Sequence, residues 1–385
     1  MAAAAADWTN LHQDLLTRIF LFLACITDRV RFSTLCKHWR SVALQNPTPL
    51  PWLLMPSTAV TSCYRIFGGF SNPRPSLADH PRGARFCGSY PGGWFVVALE
   101  QIRGHALLNL RSGERIPLPD RVRLRERRGG ISPTVYTRKC PIFIRAATMS
   151  VAPSAGGGAG ACVVAALTTG QINIAFWRPG MDCWSTTETM LWGDAEDLTF
   201  HDGWFYAVTP REELFRYKVD NHADGGAIKV RGEQMRLPKM CQTPSAPGEI
   251  VARYLLSSAS GEDLLMVKRY VHPEKGTWRF QVFTLLQDGG RLGCLRFYRM
   301  QGQVLFVGRG CSKAFDTGNG NCQHGCIYFL HDVYRGGPMS VLQQDQYGCS
   351  DTGSFICLPN PNEIKRCLPR DPASDSSPWI WYLQE

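Results

Sequence analysis

The sequence predicts a mainly β fold behind a small all-α N-terminal module, and three observations carry that prediction. Apolar residues between Asp7 and Leu44 recur at helical spacing, three alternating prolines follow, and from Trp52 onward short apolar runs alternate with Gly-containing turns. The 385 residues include 37 Gly and 25 Pro beside 19 Phe, 12 Tyr and 11 Trp, which favours many short strands joined by tight turns.

In the first stretch, Leu15, Leu16, Ile19, Phe20 and Leu23 form one stripe. Phe32, Leu35, Cys36, Trp39, Val42 and Ala43 form a second. Both fit a 3.6-residue period and not the alternation of a strand. Asn10 is placed to cap a first helix, with Gln13 three positions on. Thr27 and Asp28 would open a second, and Lys37, His38 and Arg40 fall toward its C-terminal end, where the helix dipole favours positive charge. Segments well below ~40 residues need outside help to bury this much apolar surface. The surplus either docks on the rest of the chain or is kept for another protein's helices.

Asn46-Pro47-Thr48-Pro49-Leu50-Pro51 cannot continue a helix, so residues 47–51 read as a stiff linker between a module over 7–46 and a domain over 52–385. In that domain 94–99 is followed by 105–110, 162–167 by 171–177, and 198–200 by 204–208 and 214–219. Further on, 254–256 is followed by 264–270 and 277–285, then come 304–307 and 326–330. The unit of strand, Gly-containing turn and apolar strand recurs at uneven intervals of roughly 40 to 60 residues, the expectation for a divergent β-propeller of about six blades. A two-sheet sandwich, at ~100 residues, is too short for this region. Closing the ring requires a strand near Trp52 to pair with one near Trp379 to Leu383.

Composition narrows the chemistry. Apolar content of 44% and charge of 19% are ordinary for a soluble globular chain. No run approaches the ~18 apolar residues of a membrane span, and Met1 to Ala6 lacks the charged and apolar regions of a signal peptide. Fifteen Cys, many inside apolar runs, suit reduced, buried thiols. The expectation is a soluble protein of the cytoplasm or nucleus. The net charge of +10 bears on acidic partners and not on fold. Arg121 to Arg128 holds the one concentrated basic run, either a nuclear address or phosphate-facing patch, or a solvated strand edge. The absence of interleaved aromatics argues against a nucleic-acid platform.

Candidate catalytic and metal signals are weak. Cys322-Gln323-His324-Gly325-Cys326, near Cys311 and His331, has zinc-compatible residues but no closed-site spacing. Ser154 to Gly160 lacks the Lys-Ser/Thr that completes a phosphate-binding loop. No Gly-x-Ser-x-Gly or His-Glu-x-x-His occurs. Glu212 and Glu213, adjacent in a strand, would face opposite sides. Trp94, Trp177, Trp184, Trp204 and Trp278 are expected to pack between blades. No cofactor, metal site or catalytic residue is expected.

Two resemblances sharpen the reading. Trp8-x-x-Leu11, Asp14-Leu15-Leu16-x-x-Ile19, Leu23, Asp28-Arg29-x-Arg31-Phe32 and Cys36-Lys37-x-Trp39-Arg40 together resemble an F-box, with Leu11-His12 where that family usually has Leu-Pro. The rest is similar to the plant KIB-type β-propeller that commonly follows an F-box. It shares Pro51-Trp52-Leu53-Leu54-Met55-Pro56, Cys87-Gly88-Ser89 before Gly93-Trp94, and Ala175-Phe176-Trp177-Arg178-Pro179-Gly180. Phe200-His201-Asp202-Gly203, Leu305-Phe306-Val307-Gly308 and Pro378-Trp379-Ile380-Trp381 extend the likeness along the chain. The resemblance implies a non-catalytic substrate receptor of an SCF-type cullin-RING ubiquitin ligase, bound to the Skp adaptor and through it to cullin, with the propeller presented to a target protein. On that reading Leu11, Leu15, Leu16, Ile19, Phe20, Leu23, Leu35, Cys36 and Trp39 are the adaptor-facing and supporting set. The alternative is a non-ligase protein-binding propeller with a degenerate F-box, which His12 favours.

Overall fold

The computed structural model describes residues 8–22, 26–45, 51–58, 61–65, 82–128, 134–153, 162–169, 173–187, 194–220, 228–238, 247–288, 291–297, 303–316, 325–333, 346–356, 363–366 and 374–383. The linker residues 47–50 and Ser154 to Gly160 lie outside them, as do Cys322, Gln323 and His324.

Three helices open the chain: α1 (Gln13–Phe22), α2 (Ile26–Leu35) and α3 (Lys37–Gln45). The second stripe therefore spans two helices, not the single one expected. Cys36 separates them, and its Sγ accepts a hydrogen bond from the Trp39 amide at 3.5 Å. The break has a packing purpose. Along one continuous helix, Phe32 and Trp39 would sit about 10.5 Å apart, whereas here their ring centroids are 4.4 Å apart. Lys37, His38 and Arg40 consequently stand in the first turn of α3 and not at a C-terminus. Asn10 belongs to a short 3-10 turn, and α1 starts at Gln13.

The strands form six sheets. β1 (Trp52–Met55) and β2 (Ser62–Arg65) join the last strand of the chain in a three-stranded sheet. Blade 1 is β3 (Arg85–Tyr90), β4 (Trp94–Ala98), β5 (His105–Asn109) and β6 (Arg115–Pro117). Blade 2 has six strands: β7 (Arg121–Arg128), β8 (Thr134–Pro141), β9 (Ile144–Met149), β10 (Val164–Thr168), β11 (Ile174–Trp177) and β12 (Trp184–Ser185). Blade 3 is β13 (Asp197–His201), β14 (Trp204–Val208), β15 (Glu213–Asp220) and β16 (Lys229–Arg236). Blade 4 is β17 (Ile250–Ser257), β18 (Leu264–His272), β19 (Gly276–Asp288) and β20 (Arg291–Phe297). Blade 5 comprises β21 (Gln303–Val307), β22 (Lys313–Asp316), β23 (Cys326–Phe329), β24 (Gly353–Ile356) and β25 (Glu363–Lys365). The final strand is β26 (Ile380–Tyr382).

The blade number is thus five among the described residues, not about six, with the three-stranded sheet as the closure. That closure pairs Trp52 with Tyr382, Leu53 with Trp381 and Leu54 with Ile380, as the sequence requires. Trp381 is fully buried and donates its indole N–H to the Val307 carbonyl at 3.0 Å, tying blade 5 to the closing sheet. The blades surround an axis: β26 touches β3, β3 touches β9, β9 touches β13, β13 touches β17, and β17 touches β22.

Local chemistry explains the strand boundaries. The β13–β14 hairpin turns through Asp202 (φ 44°) and Gly203 (φ 76°), between His201 and Trp204, which pair. Two positive φ values in a two-residue loop are the type I′ geometry that Asp-Gly favours. The basic strand β7 is not the solvated edge expected of it. It lies between β8 and β12, Arg123 contacts Asp182 at 3.2 Å, and Lys139 reaches the same carboxylate at 2.6 Å. Trp94, Trp177 and Trp184 are buried, but Trp278 is 42% exposed and lies under the Arg279 guanidinium. Glu212 departs from the strand reading as well. It precedes β15 in a left-handed conformation (φ 63°) and is buried against Lys268 (2.5 Å) and Arg253 (2.9 Å). Cys63, Cys87, Cys162, Cys183 and Cys311 are buried free thiols, and burial pushes Cys63 up to about 12 and Cys162 up to about 11. Cys294 is instead disulfide-bonded, which corrects the expectation of uniformly reduced thiols.

Candidate adaptor-binding helices and the propeller axis

The helical module has its own core. Leu16, Phe20, Phe32 and Val42 are buried together, with Leu11, Ile19, Trp39 and Ala43 packed against them. Phe20 meets Phe32 edge-on at 5.2 Å, and Phe32 meets Trp39. Polar contacts fix the helices around this cluster. The His38 Nε2 lies 3.0 Å from the Leu11 carbonyl, and the Trp39 indole N–H donates to the Trp8 carbonyl at 3.1 Å. Gln13 hydrogen-bonds Gln45, joining the start of α1 to the end of α3.

This packing divides the nine residues singled out from the sequence. Leu16 and Phe20 are core; Leu11, Ile19 and Trp39 are partly buried supports; Cys36 terminates α2 and caps α3. Leu23 lies outside the described residues. Only Leu15 and Leu35 face outward, 49% and 64% exposed. Two further residues share that property and were not in the set: Trp8 at 63% and Leu44 at 66%. These four are among only seven large apolar side chains exposed in the described residues of the whole chain. Leu44 was legible in principle, since it sits one turn after Arg40 on the polar side of α3, where an apolar residue has no internal use.

His12 occupies the place of the usual proline. Its carbonyl accepts the amides of Leu15 and Leu16 at 3.0 and 3.1 Å, and its ring is exposed beside Asp14. The first turn is therefore closed by backbone bonds from residue 12 without the preset φ that proline supplies.

The model of the F-box domain matches residues 8–48, and that of the KIB1-4 beta-propeller matches residues 69–355. The chain belongs to the KIB1-4 beta-propeller family. No curated protein matches it. Among solved structures it is similar to the N-terminal domain of Nup159, at 9% identity over 84% of this chain and 75% of that one, with a TM-score of 0.34. It is also similar to YCF48 bound to D1 peptide, at 11% identity over 88% and 95%, with a TM-score of 0.33. A quinonprotein alcohol dehydrogenase-like protein from Bacteroides thetaiotaomicron is 8% identical over 88% and 77%, with a TM-score of 0.33. Likenesses this distant carry no functional argument.

The axis of this KIB1-4 propeller is plugged. The turn from Gly308 to Ser312, between β21 and β22, crosses it. The Gly310 amide donates to Asp197 Oδ1 at 3.0 Å, and its carbonyl accepts the Ser89 amide at 3.0 Å. Gly310 has φ 67°, and a Cβ there would stand 2.8 Å from the Cys87 carbonyl oxygen. Gly88 is as confined, since its Cβ would meet the Ala147 carbonyl oxygen at 2.0 Å. Asp197 is fully buried and also accepts the Leu255 amide, at 3.0 Å. Burial pushes its carboxyl up to about 7.

On one side of the plug, arginines staple neighbouring blades. Arg85 donates to the Ile144 carbonyl at 2.6 Å, and Arg145 donates to the Ala195 carbonyl at 3.0 Å. The Arg309 amide donates to Asp332 at 2.9 Å, and its guanidinium donates to the Glu196 carbonyl. Every one of these cations therefore serves the ring itself. Farther out, Arg269 is fully buried between Asp332 (3.0 Å) and Asp351 (2.9 Å), joining blade 4 to blade 5. Among the described residues no group of three or more potential metal ligands is gathered, and no helix is long and apolar enough to cross a membrane.

Proposed function

We propose that this chain is the substrate-receptor subunit of an SCF-type cullin-RING ubiquitin ligase. Residues 7–46 bind the Skp adaptor, and through it cullin. Residues 47–51 act as a stiff spacer, and the propeller over 52–385 holds a target protein. The observation that carries the reading is an F-box match over residues whose described core leaves the apolar side chains of Trp8, Leu15, Leu35 and Leu44 exposed. Such side chains favour a partner, because burying an exposed leucine stabilises an interface by roughly 1.5–3 kcal/mol. The subunit performs no bond chemistry. It raises the local concentration of target lysines beside a recruited conjugating enzyme. On this reading the protein works in the cytoplasm or nucleus.

The test is co-purification of the full chain with a Skp adaptor and cullin, against a deletion of residues 1–46. Recovery that depends on the helices supports the reading. Failure of the wild-type chain to retain any adaptor, with the propeller folded, refutes it in favour of a non-ligase binding propeller.

A further inference from the structure

Opposite the arginine staples, the plug borders an axial cavity of about 100 Å³. All six sheets reach it: Ser89 from β3, Thr148 from β9, Thr199 from β13, Ser257 from β17, Lys313 from β22, and Leu383 just after β26. Some of its hydroxyls are already engaged. Ser257 Oγ lies 3.0 Å from His201 Nδ1, and Ser312 Oγ donates to the Gly308 carbonyl at 2.9 Å. Ser89 differs. It is more than nine-tenths buried, and its Oγ has no hydrogen-bond partner among the described residues.

Lys313 is the one ionisable group lining the cavity apart from Tyr90. It is partly buried, and its ammonium has no ion-pair or hydrogen-bond partner among the described residues. Burial alone lowers its ammonium from the usual lysine range, with no nearby charge acting on it. The other buried cations differ: Arg85, Arg145, Arg253, Lys268 and Arg269 all have partners within the ring. An ammonium partly withdrawn from water with no counter-charge beside it favours an anion that supplies one.

We propose that this cavity is an acidic-residue pocket, in which Lys313 receives the carboxylate of an Asp or Glu side chain from a peptide segment of the target protein. Size and charge select that occupant. Small-molecule sites occupy roughly 300–1,000 Å³, so a cavity of about 100 Å³ holds one side chain and not a nucleotide or a drug-sized ligand. One cation balances a carboxylate and leaves a phosphoryl group under-neutralised. The position suits a receptor. Leu383 lines the cavity, next to Tyr382, and Tyr382 pairs with Trp52 at the first strand of the propeller. The inference rests on the receptor reading for the identity of the peptide's source, but not for the chemistry of the pocket.

An immobilised array of 12-residue peptides of mixed composition, probed with the full-length chain, tests it. The expected binders are enriched in Asp or Glu at one position, and changing that residue to Asn or Gln lowers affinity at least ten-fold. Lys313→Met should remove that preference and Lys313→Arg should keep it. Both variants should melt no lower than wild type and should co-purify with the Skp adaptor to the extent that wild type does. Absence of any carboxylate-dependent binder overturns the proposal, as does a preference that survives in Lys313→Met. Tighter binding of phosphoserine peptides through Lys313 overturns the choice of a carboxylate. Loss of adaptor binding in wild type with the acidic preference intact would instead overturn the receptor reading and leave the pocket standing.

Discussion

Leu15 and Leu16 are neighbours in sequence with opposite fates, and that contrast gives the most direct test of the helical module. Leu16 is fully buried, and Leu15 is 49% exposed. Full burial of a leucine is worth about 1.5–3 kcal/mol, so covering the open half of Leu15 in a complex contributes about 1 kcal/mol. Leu15→Ala should then weaken adaptor binding about five-fold. Leu15→Asp adds at least the roughly 1–3 kcal/mol that even an uncharged polar group costs at an apolar contact, for a total of at least about 2–4 kcal/mol. That corresponds to about a 30- to 700-fold loss of affinity. Neither change should move the stability of the free chain by more than about 0.5 kcal/mol. Leu16→Ala should behave inversely, destabilising α1–α3 by about 2–5 kcal/mol through the cavity it leaves. Titration calorimetry against purified adaptor reads the first effect, and hydrogen exchange of the helical amides in the full chain reads the second. Unchanged affinity in Leu15→Asp would refute the assignment. So would a loss of affinity in Leu16→Ala without any loss of helical protection.

Three further outcomes follow from the propeller. Gly310→Ala should lower the urea midpoint by an amount equivalent to about 2–4 kcal/mol, because a left-handed φ and a contact with the Cys87 carbonyl oxygen are both imposed on the new methyl group; an unchanged midpoint would show that the plug yields. Trp381→Ala should cost about 3–5 kcal/mol by emptying the closure and orphaning the Val307 carbonyl, measured by thermal unfolding with tryptophan emission. For Asp197, the folded carboxyl titrates at about 7 against an ordinary value of 3.8, so the folded chain keeps a proton that the unfolded chain has released. Its contribution is therefore complete below pH ~4 and is lost as pH rises toward ~7. Asp197→Asn should flatten that part of the profile of urea midpoint against pH, and an identical slope in both proteins would exclude Asp197 as its source.

Periodicity and turn chemistry are local properties, and what depends on them was readable in the chain. The helical module, the strand-rich character of the described residues after Pro51, the hairpin across Asp202-Gly203 and the pairing of Trp52 with the C-terminal end all followed from residue spacing, turn residues or the need to close the ring. The break at Cys36 did not, because Phe32 and Trp39 keep helical spacing whether the helix runs on or folds back; only their packing at 4.4 Å distinguishes the two. The blade count failed for a related reason. β1, β2 and β26 join in a three-stranded closing sheet and make no sixth blade, and β7 pairs in parallel with β12 and so widens blade 2. Strand pattern records that a segment is extended and which face is apolar, but not which neighbour it joins. The same limit hid the axis. Gly308 to Ser312 reads as an ordinary turn, and Asp197, Ser89 and Lys313 are far apart in sequence. Closure of the ring brings the turn onto Asp197 and Ser89, and it leaves Lys313 in the axial cavity without a counter-charge among the described residues.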